Sequence, residues 1–257
     1  MTSSSSFSER IDAVSKDKQT NIVLAADPPF NTNDLFDYMI HIITKLGKYL
    51  CAIKMNFHVI LPLSLNQLKK INEVAHNEKL QVIADIKLND IPDTNKISIQ
   101  YLNSMGFDSI IVNPFMGKNN LKSTVDYAHS LNCGVISLVY MSHNDAKDSF
   151  GASIIDVSEN GLTFPRLIYN IFYHNSKDCN VDGVVIGGNR LDILKEFSYK
   201  GDIPIYSPGL VTQGGDIKSA LENGSNFLII GRAILNSSDP LLELKDMHNK
   251  IKLCYFR

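Results

Sequence analysis

The sequence is poor in cysteine. Its 257 residues hold four, Cys51, Cys133, Cys179 and Cys254, with no CxxC pair among them. That spacing excludes a disulfide framework or a cysteine zinc site and reads as the reduced thiols of an intracellular protein. The histidines form no HxH or HxxxH pair. His58, His76 and His143 therefore lack metal-ligand spacing, and no metal is expected. Ser142 stands outside any GxSxG elbow, which argues against a serine nucleophile. There is no run of about 18 apolar residues to cross a bilayer, and no basic run to mark a nucleic-acid surface. Lysine and arginine (25) nearly balance aspartate and glutamate (27), for a formal charge of −2. The polar start, MTSSSSFSERIDAVSKDKQT, lacks the apolar centre of a secretory signal. These absences leave the expectation of a soluble, cytoplasmic protein with no nucleic-acid or membrane partner.

Hydrophobic residues make up 44% of the chain and gather in short runs rich in Val and Ile. The runs are Asn21–Ala26, Leu50–Met55, Val82–Ile86, Ser109–Val112, Val135–Val139, Gly183–Ile186, Ile203–Tyr206 and Phe227–Ile230. Most lack polar alternation, which marks strands covered on both faces. Amphipathic segments fill the gaps. Leu63–His76 puts Leu65, Leu68, Ile71 and Val74 on one helical face, and Pro165 suits the first turn of a helix over Phe164–Ile171. The aromatic residues of Leu167–Tyr173 read as helix packing. Strands alternating with helices in this way predict an α/β fold, a (β/α)8 TIM barrel. A doubly wound open sheet is the alternative, but LAADPPF follows the first run where that fold carries a glycine-rich fingerprint. Ser6 and Glu9 have capping-box spacing. Residues 1–19 are thus read as an extension holding a short helix, and 20–257 as a single barrel domain.

Function in such a barrel gathers where strands end and βα loops begin. The third run ends as QVIADIKLNDIPD, with Asp85, Lys87 and Asp90 in close succession. Asp85 and Lys87 are two apart on one strand and so share a face. Lys54 on the second strand and Asp27 after the first complete an alternating set of carboxylates and ammoniums. Singly, each has a plainer reading. Asp27 resembles a cap or turn former and Lys54 a snorkelling surface residue. Asp85 with Lys87 resembles a structural ion pair, although a buried pair without function often adds little stability. Convergence on adjacent strand ends favours function. A second constellation joins SPGLVTQGGD, after the seventh run, to IIGRAI, at the end of the eighth. Phosphate sites recur there, at loops and helix starts. Gly214, Gly215 and Gly231 would let backbone N–H groups approach an anion, and Arg232 would add a permanent bidentate charge.

In this order, LAAD, IKM, ADIKLNDIPDTN, MSH, SPGLVTQGGD and IIGRAI resemble the orotidine 5′-phosphate decarboxylase family, from about Asn21 to the last helix. DIKLNDIPDTN fits that family's DxKxxDI signature. The resemblance implies a homodimeric barrel that converts orotidine 5′-monophosphate (OMP) to uridine 5′-monophosphate (UMP) and CO2, in pyrimidine biosynthesis and without a cofactor. It implies that Asp85 lies against the substrate carboxylate, that Lys87 gives a proton to C6, and that Lys54 completes the charged network. Asp27 would bind a ribose hydroxyl and Ser142 the pyrimidine. Pro208 would line the substrate site, while Gln213, Gly231 and Arg232 would hold the phosphate. Asp90, Ile91 and Thr94 would reach into the partner subunit's site. Asn144-Asp145 stands where related sequences are expected to carry Pro-Gly, and Ser153–Thr163 is long for a covering loop.

Two other readings compete. A Mg²⁺-dependent decarboxylase or aldolase acting on keto-sugar phosphates shares DxKxxD on the same barrel, but Ile91 and Thr94 fit the nucleotide branch. A non-catalytic phosphate-binding barrel would need the glycine-rich loops and not the Asp-Lys-Asp cluster. Loss of CO2 from C6 leaves charge on a carbon with no electron sink. A lysine held between carboxylates sets both a positive charge and a proton at that carbon.

Overall fold

The computed structural model describes residues 5–29, 32–157, 163–199, 201 and 203–255. A closed barrel of parallel strands runs through β1 (Ile22–Ala25), β2 (Ala52–Asn56), β3 (Gln81–Leu88), β4 (Ser109–Val112) and β5 (Gly134–Tyr140). It continues through β8 (Gly183–Ile186), β9 (Ile205–Ser207) and β10 (Phe227–Ile230), which pairs with β1. Two further strands, β6 (Ser153–Val157) and β7 (Thr163–Leu167), form an antiparallel pair outside the barrel. The expected barrel is present, and each of the eight apolar runs contributes one of its strands.

Helices cover the barrel: α1 (Phe7–Lys18), α2 (Leu35–Leu46), α3 (Phe57–Ile60), α4 (Leu65–Asn77), α5 (Pro92–Ser104) and α6 (Lys118–Ser130). After the hairpin come α7 (Ile168–Asp178), α8 (Leu191–Ser198), α9 (Ile217–Glu222), α10 (Arg232–Leu235) and α11 (Pro240–Tyr255). Local chemistry sets several starts. Ser64 and Gln67 make a capping box at α4, and Pro92 occupies the first turn of α5, where a missing N–H costs nothing.

The expected helix over Phe164–Ile171 is corrected. Thr163–Leu167 is a strand in which Pro165 pairs with Ile155, and the helix starts at Ile168. A two-stranded ribbon has free edges, so a residue without an N–H is tolerated there. Within the long segment Ser153–Thr163, Ser153–Val157 is the first strand of this antiparallel pair, Thr163 begins the second, and residues 158–162 lie outside the described part. In α4 the inner face is Leu68, Ile71, Asn72 and Ala75, while Leu65 is exposed. The aromatics of α7 do pack inward: Phe172 and Tyr173 are buried, and Tyr173 stacks on Phe197 at 3.8 Å.

The expected N-terminal helix forms with its Ser6–Glu9 capping box and crosses the end of the barrel opposite the loops of interest. Phe7 and Ile11 are buried in the core. Gly134 makes room for that plug, since a Cβ there would sit 2.5 Å from the Phe7 ring. Two Asp–His pairs staple the same end. Asp108 accepts from Val82 N–H at 2.8 Å and meets His76 at 2.9 Å. Asp182 accepts from Val135 N–H at 2.8 Å, from Ser8 at 3.1 Å, and meets His129 at 2.8 Å. Hydrogen bonding to these carboxylates raises the pKa of both imidazoles. Cys51, Cys133 and Cys179 are unpaired and buried. Burial pushes the thiols of Cys51 and Cys133 up to about 12, which leaves them unreactive. The side chain of Cys254 lies outside the described part. Among the described residues no helix is long and apolar enough to cross a membrane.

Candidate active site

A cavity opens at the C-terminal ends of the barrel strands. It is lined by Asp27, Lys54, Asp85, Lys87, Ser142, Pro208, Gln213, Gly231 and Arg232, all named from the sequence. Strand register brings the charged ones together. Ala25 is level with Lys54 in the β1–β2 pair, and Asn56 is level with Asp85 in the β2–β3 pair. Asp85 sits at the centre. Lys54 Nζ donates to its Oδ2 at 2.7 Å, and Lys87 Nζ donates to its Oδ1 at 2.7 Å. Burial pushes the Asp85 carboxyl up, but the two ammoniums outweigh burial and leave its pKa below the usual value. The triad is graded in exposure. The Lys54 and Asp85 side chains are 6% and 8% exposed, and that of Lys87 is 32%. Both ammoniums line the cavity, and Lys87 is the more open of the two.

Its route there differs from plain strand alternation. Between the pairs Ala84–Ile110 and Leu88–Val112 the register of β3 slips against β4. Within that irregularity Lys87 has φ 48°, the left-handed region that side chains with a Cβ avoid at a cost of roughly 1–2 kcal/mol. The structure thus strains one residue to aim its amine back at Asp85.

Asp90, Ile91 and Thr94 do not line this cavity. They lie exposed at the start of α5, and Asp90 Oδ1 accepts from Ile91 N–H at 2.7 Å. Among the described residues of one chain, then, Asp85 is the one carboxylate that contacts Lys87. Asp27 does line the cavity. Its Oδ1 is buried with no hydrogen-bond donor among the described residues, with His58 Nε2 out at 3.8 Å, and so is available to accept from a bound hydroxyl. Arg232 is exposed to the cavity with no ion-pair partner among the described residues.

The glycines divide differently from expectation. Gly231 lines the cavity beside Gly209, whereas Gly214 and Gly215 face a separate surface groove. The loop folds back on itself, with Val211 N–H donating to Gly215 O at 2.7 Å and Gly215 N–H to Gly209 O at 3.2 Å. Asn144-Asp145 begins a short 3-10 turn, Asn144–Asp148, whose Ala146 is buried. Sequence reasoning missed Asn56 and Thr212, which line the cavity with an apolar wall of Ile111, Leu138, Met141, Val185, Leu210 and Ile229. Asn56 had a signal: it lies two residues beyond Lys54 on the same strand face. Among the described residues no three His, Cys, Asp or Glu side chains are grouped to hold a metal ion.

Comparisons with known proteins bear on this site. A family model described as "Orotidine 5'-phosphate decarboxylase / HUMPS family" matches residues 20–247. The orotidine 5'-phosphate decarboxylase of Methanocaldococcus jannaschii is 31% identical over 83% of this chain and 94% of its own length. That of Pyrococcus abyssi is 28% identical over 84% and 94%. The crystal structure of the M. jannaschii enzyme complexed with the inhibitor BMP superposes with a TM-score of 0.75 at 28% identity, covering 90% of this chain and 98% of that one.

Proposed function

The chain belongs to the orotidine 5'-phosphate decarboxylase / HUMPS family, and from that premise we propose that it decarboxylates OMP to UMP and CO2 without a cofactor. The observation that carries the reading is the Lys54–Asp85–Lys87 triad, whose more exposed ammonium lines the same cavity as the Arg232 guanidinium. A phosphorylated nucleoside spans such a site with its anionic end at Arg232 and its base toward Lys87.

In the reaction the C6–carboxylate bond breaks and its electron pair stays on C6. The Lys87 ammonium stabilises that pair and then passes it a proton, leaving a neutral amine that regains its proton from water. Asp85 orients Lys87 and crowds the departing carboxylate, and Lys54 fixes the other oxygen of Asp85. The unpaired oxygen of Asp27 accepts from a ribose hydroxyl. Ser142 contacts the pyrimidine, Pro208 packs beside it, and Gln213, Gly231 and Arg232 grip the phosphate. That remote grip supplies binding energy for ordering the reacting end. A spectrophotometric assay tests the reading. Purified protein should convert OMP to UMP stoichiometrically, with the same rate after EDTA treatment. Folded protein that leaves OMP unchanged, or that loses its activity to the chelator, would contradict it.

The active form is a homodimer with shared sites. Ile91, Ile97 and Tyr101 are 62%, 56% and 59% exposed on and beside α5, an apolar surface that a second copy would cover, and Phe57 and Leu61 are exposed on and just after α3. Asp90, Ile91 and Thr94 lie on that surface and enter the partner subunit's cavity, where Asp90 supplies the second carboxylate beside Lys87. Subunit mixing tests this. Lys87→Ala and Asp90→Ala proteins, each inactive alone, should regain activity when mixed, because one site of the hybrid is intact. If Asp90 acted in its own chain, both hybrid sites would be defective and the mixture would stay inactive.

A further inference from the structure

The loops after β5, β8 and β9 meet beside the cavity, and the β8 loop bridges the other two. Gly187 N–H donates to Tyr140 O at 3.0 Å, and Gly188 N–H donates to Pro208 O at 2.7 Å. Asn189 extends the bridge with its side chain. Its Nδ2 donates to Ser142 O at 2.9 Å and, at a longer 3.4 Å, to Gln213 O. Both partners are carbonyls and only accept, so the NH2 edge of the amide must face them. The amide oxygen is buried with no partner among the described residues. Packing around the tie has no slack. A Cβ on Gly187 would lie 2.8 Å from Ser142 Cα and 3.0 Å from Asn189 Oδ1. One on Gly209, already in the left-handed region at φ 82°, would lie 2.5 Å from Ser142 Cβ and 3.0 Å from Gln213 Oε1.

We infer that Asn189 is a positioning residue that couples Ser142 to Gln213, so that the phosphate held by Gln213 fixes the loop presenting Ser142 to the pyrimidine. The inference rests on the function proposed above. Asn189 itself does not line the cavity, and acts through the two carbonyls it holds. Removing the tie uncouples the two loops, so that phosphate on Gln213 no longer orders the Ser142 loop, and misplacement of about 1 Å at a reacting site costs up to about 10²-fold.

The test is a set of full-length variants assayed with OMP and with orotidine, the nucleoside lacking phosphate. Asn189→Ala should lower kcat/KM for OMP at least about tenfold and leave that for orotidine within about twofold. Asn189→Asp keeps the shape but turns a carboxylate oxygen toward two carbonyls, and should show the same OMP-specific loss even if the Ala variant fails to fold. Ser142→Ala and Gln213→Ala should be non-additive in the parent and additive once Asn189 is Ala. Equal losses on both substrates, or a Ser142–Gln213 coupling that persists without Asn189, would overturn the inference. A parent protein inactive on OMP would instead count against the proposed function. The same variants' affinity for UMP then decides the inference on the same pattern of additivity.

Discussion

Lys87→Ala should lower kcat on OMP by about 10⁴-fold or more while UMP still binds. The size follows from two lost contributions. Positioned proton transfer is worth about 10²–10⁴-fold, and a preorganised charge at the developing anion is worth about 10²–10³-fold. The competing source of catalysis is repulsion between Asp85 and the substrate carboxylate. At ~4 Å and an effective dielectric of ~20 it reaches only about 4 kcal/mol, against the roughly 8–23 kcal/mol of barrier that enzymes remove. Two ammoniums at 2.7 Å already offset the Asp85 charge, which reduces that repulsion further. The cation must therefore dominate. The variant should fold, because Lys87 is partly exposed and Asp85 keeps Lys54 as its partner, leaving no unpaired buried charge. Single-turnover rates with OMP and equilibrium binding of UMP check it. A kcat near that of the parent would remove the proton-donor role.

Arg232→Ala should lower kcat/KM for OMP by about 10²–10⁴-fold, chiefly through KM, with little change for orotidine. Hydrogen bonds to charged groups are worth about 1.5–3 kcal/mol each, and a guanidinium can make two to one phosphate. Arg232 is suited to that because no carboxylate among the described residues engages it. Arg232→Lys should recover only part of the loss, since a point charge does not reproduce the planar fork. The comparison of OMP with orotidine in the same variant is the measurement. Equal damage to both substrates would move the phosphate site elsewhere.

Much of the architecture was legible because each barrel strand is an apolar run buried on both faces. Ile22, Val23 and Leu24 of β1 are completely buried, as the run Asn21–Ala26 implies. The hairpin was not legible. Ile154, Ile155 and Phe164 are exposed, so no burial pattern marks their strands, and Pro165 carries a helix-start signal as readily as an edge-strand one. The charged triad was readable from residue types at strand ends. The backbone that builds it was not, since neither Lys87 at φ 48° nor Val211 at φ 63° is a residue type that announces left-handed geometry. The roles of the glycines are hidden for a related reason. Composition places Gly209, Gly214 and Gly215 in one loop, and only the fold-back through Val211 and Gly215 decides which of them reaches the cavity. Asn189 was invisible because an asparagine after two glycines reads as a turn.

A crystal structure with UMP bound tests the account most directly. It should place Lys87 Nζ within about 3–3.5 Å of pyrimidine C6, still held by Asp85, with the phosphate on Arg232. A nitrogen turned to solvent, or a pyrimidine ring bound away from it, would contradict the account.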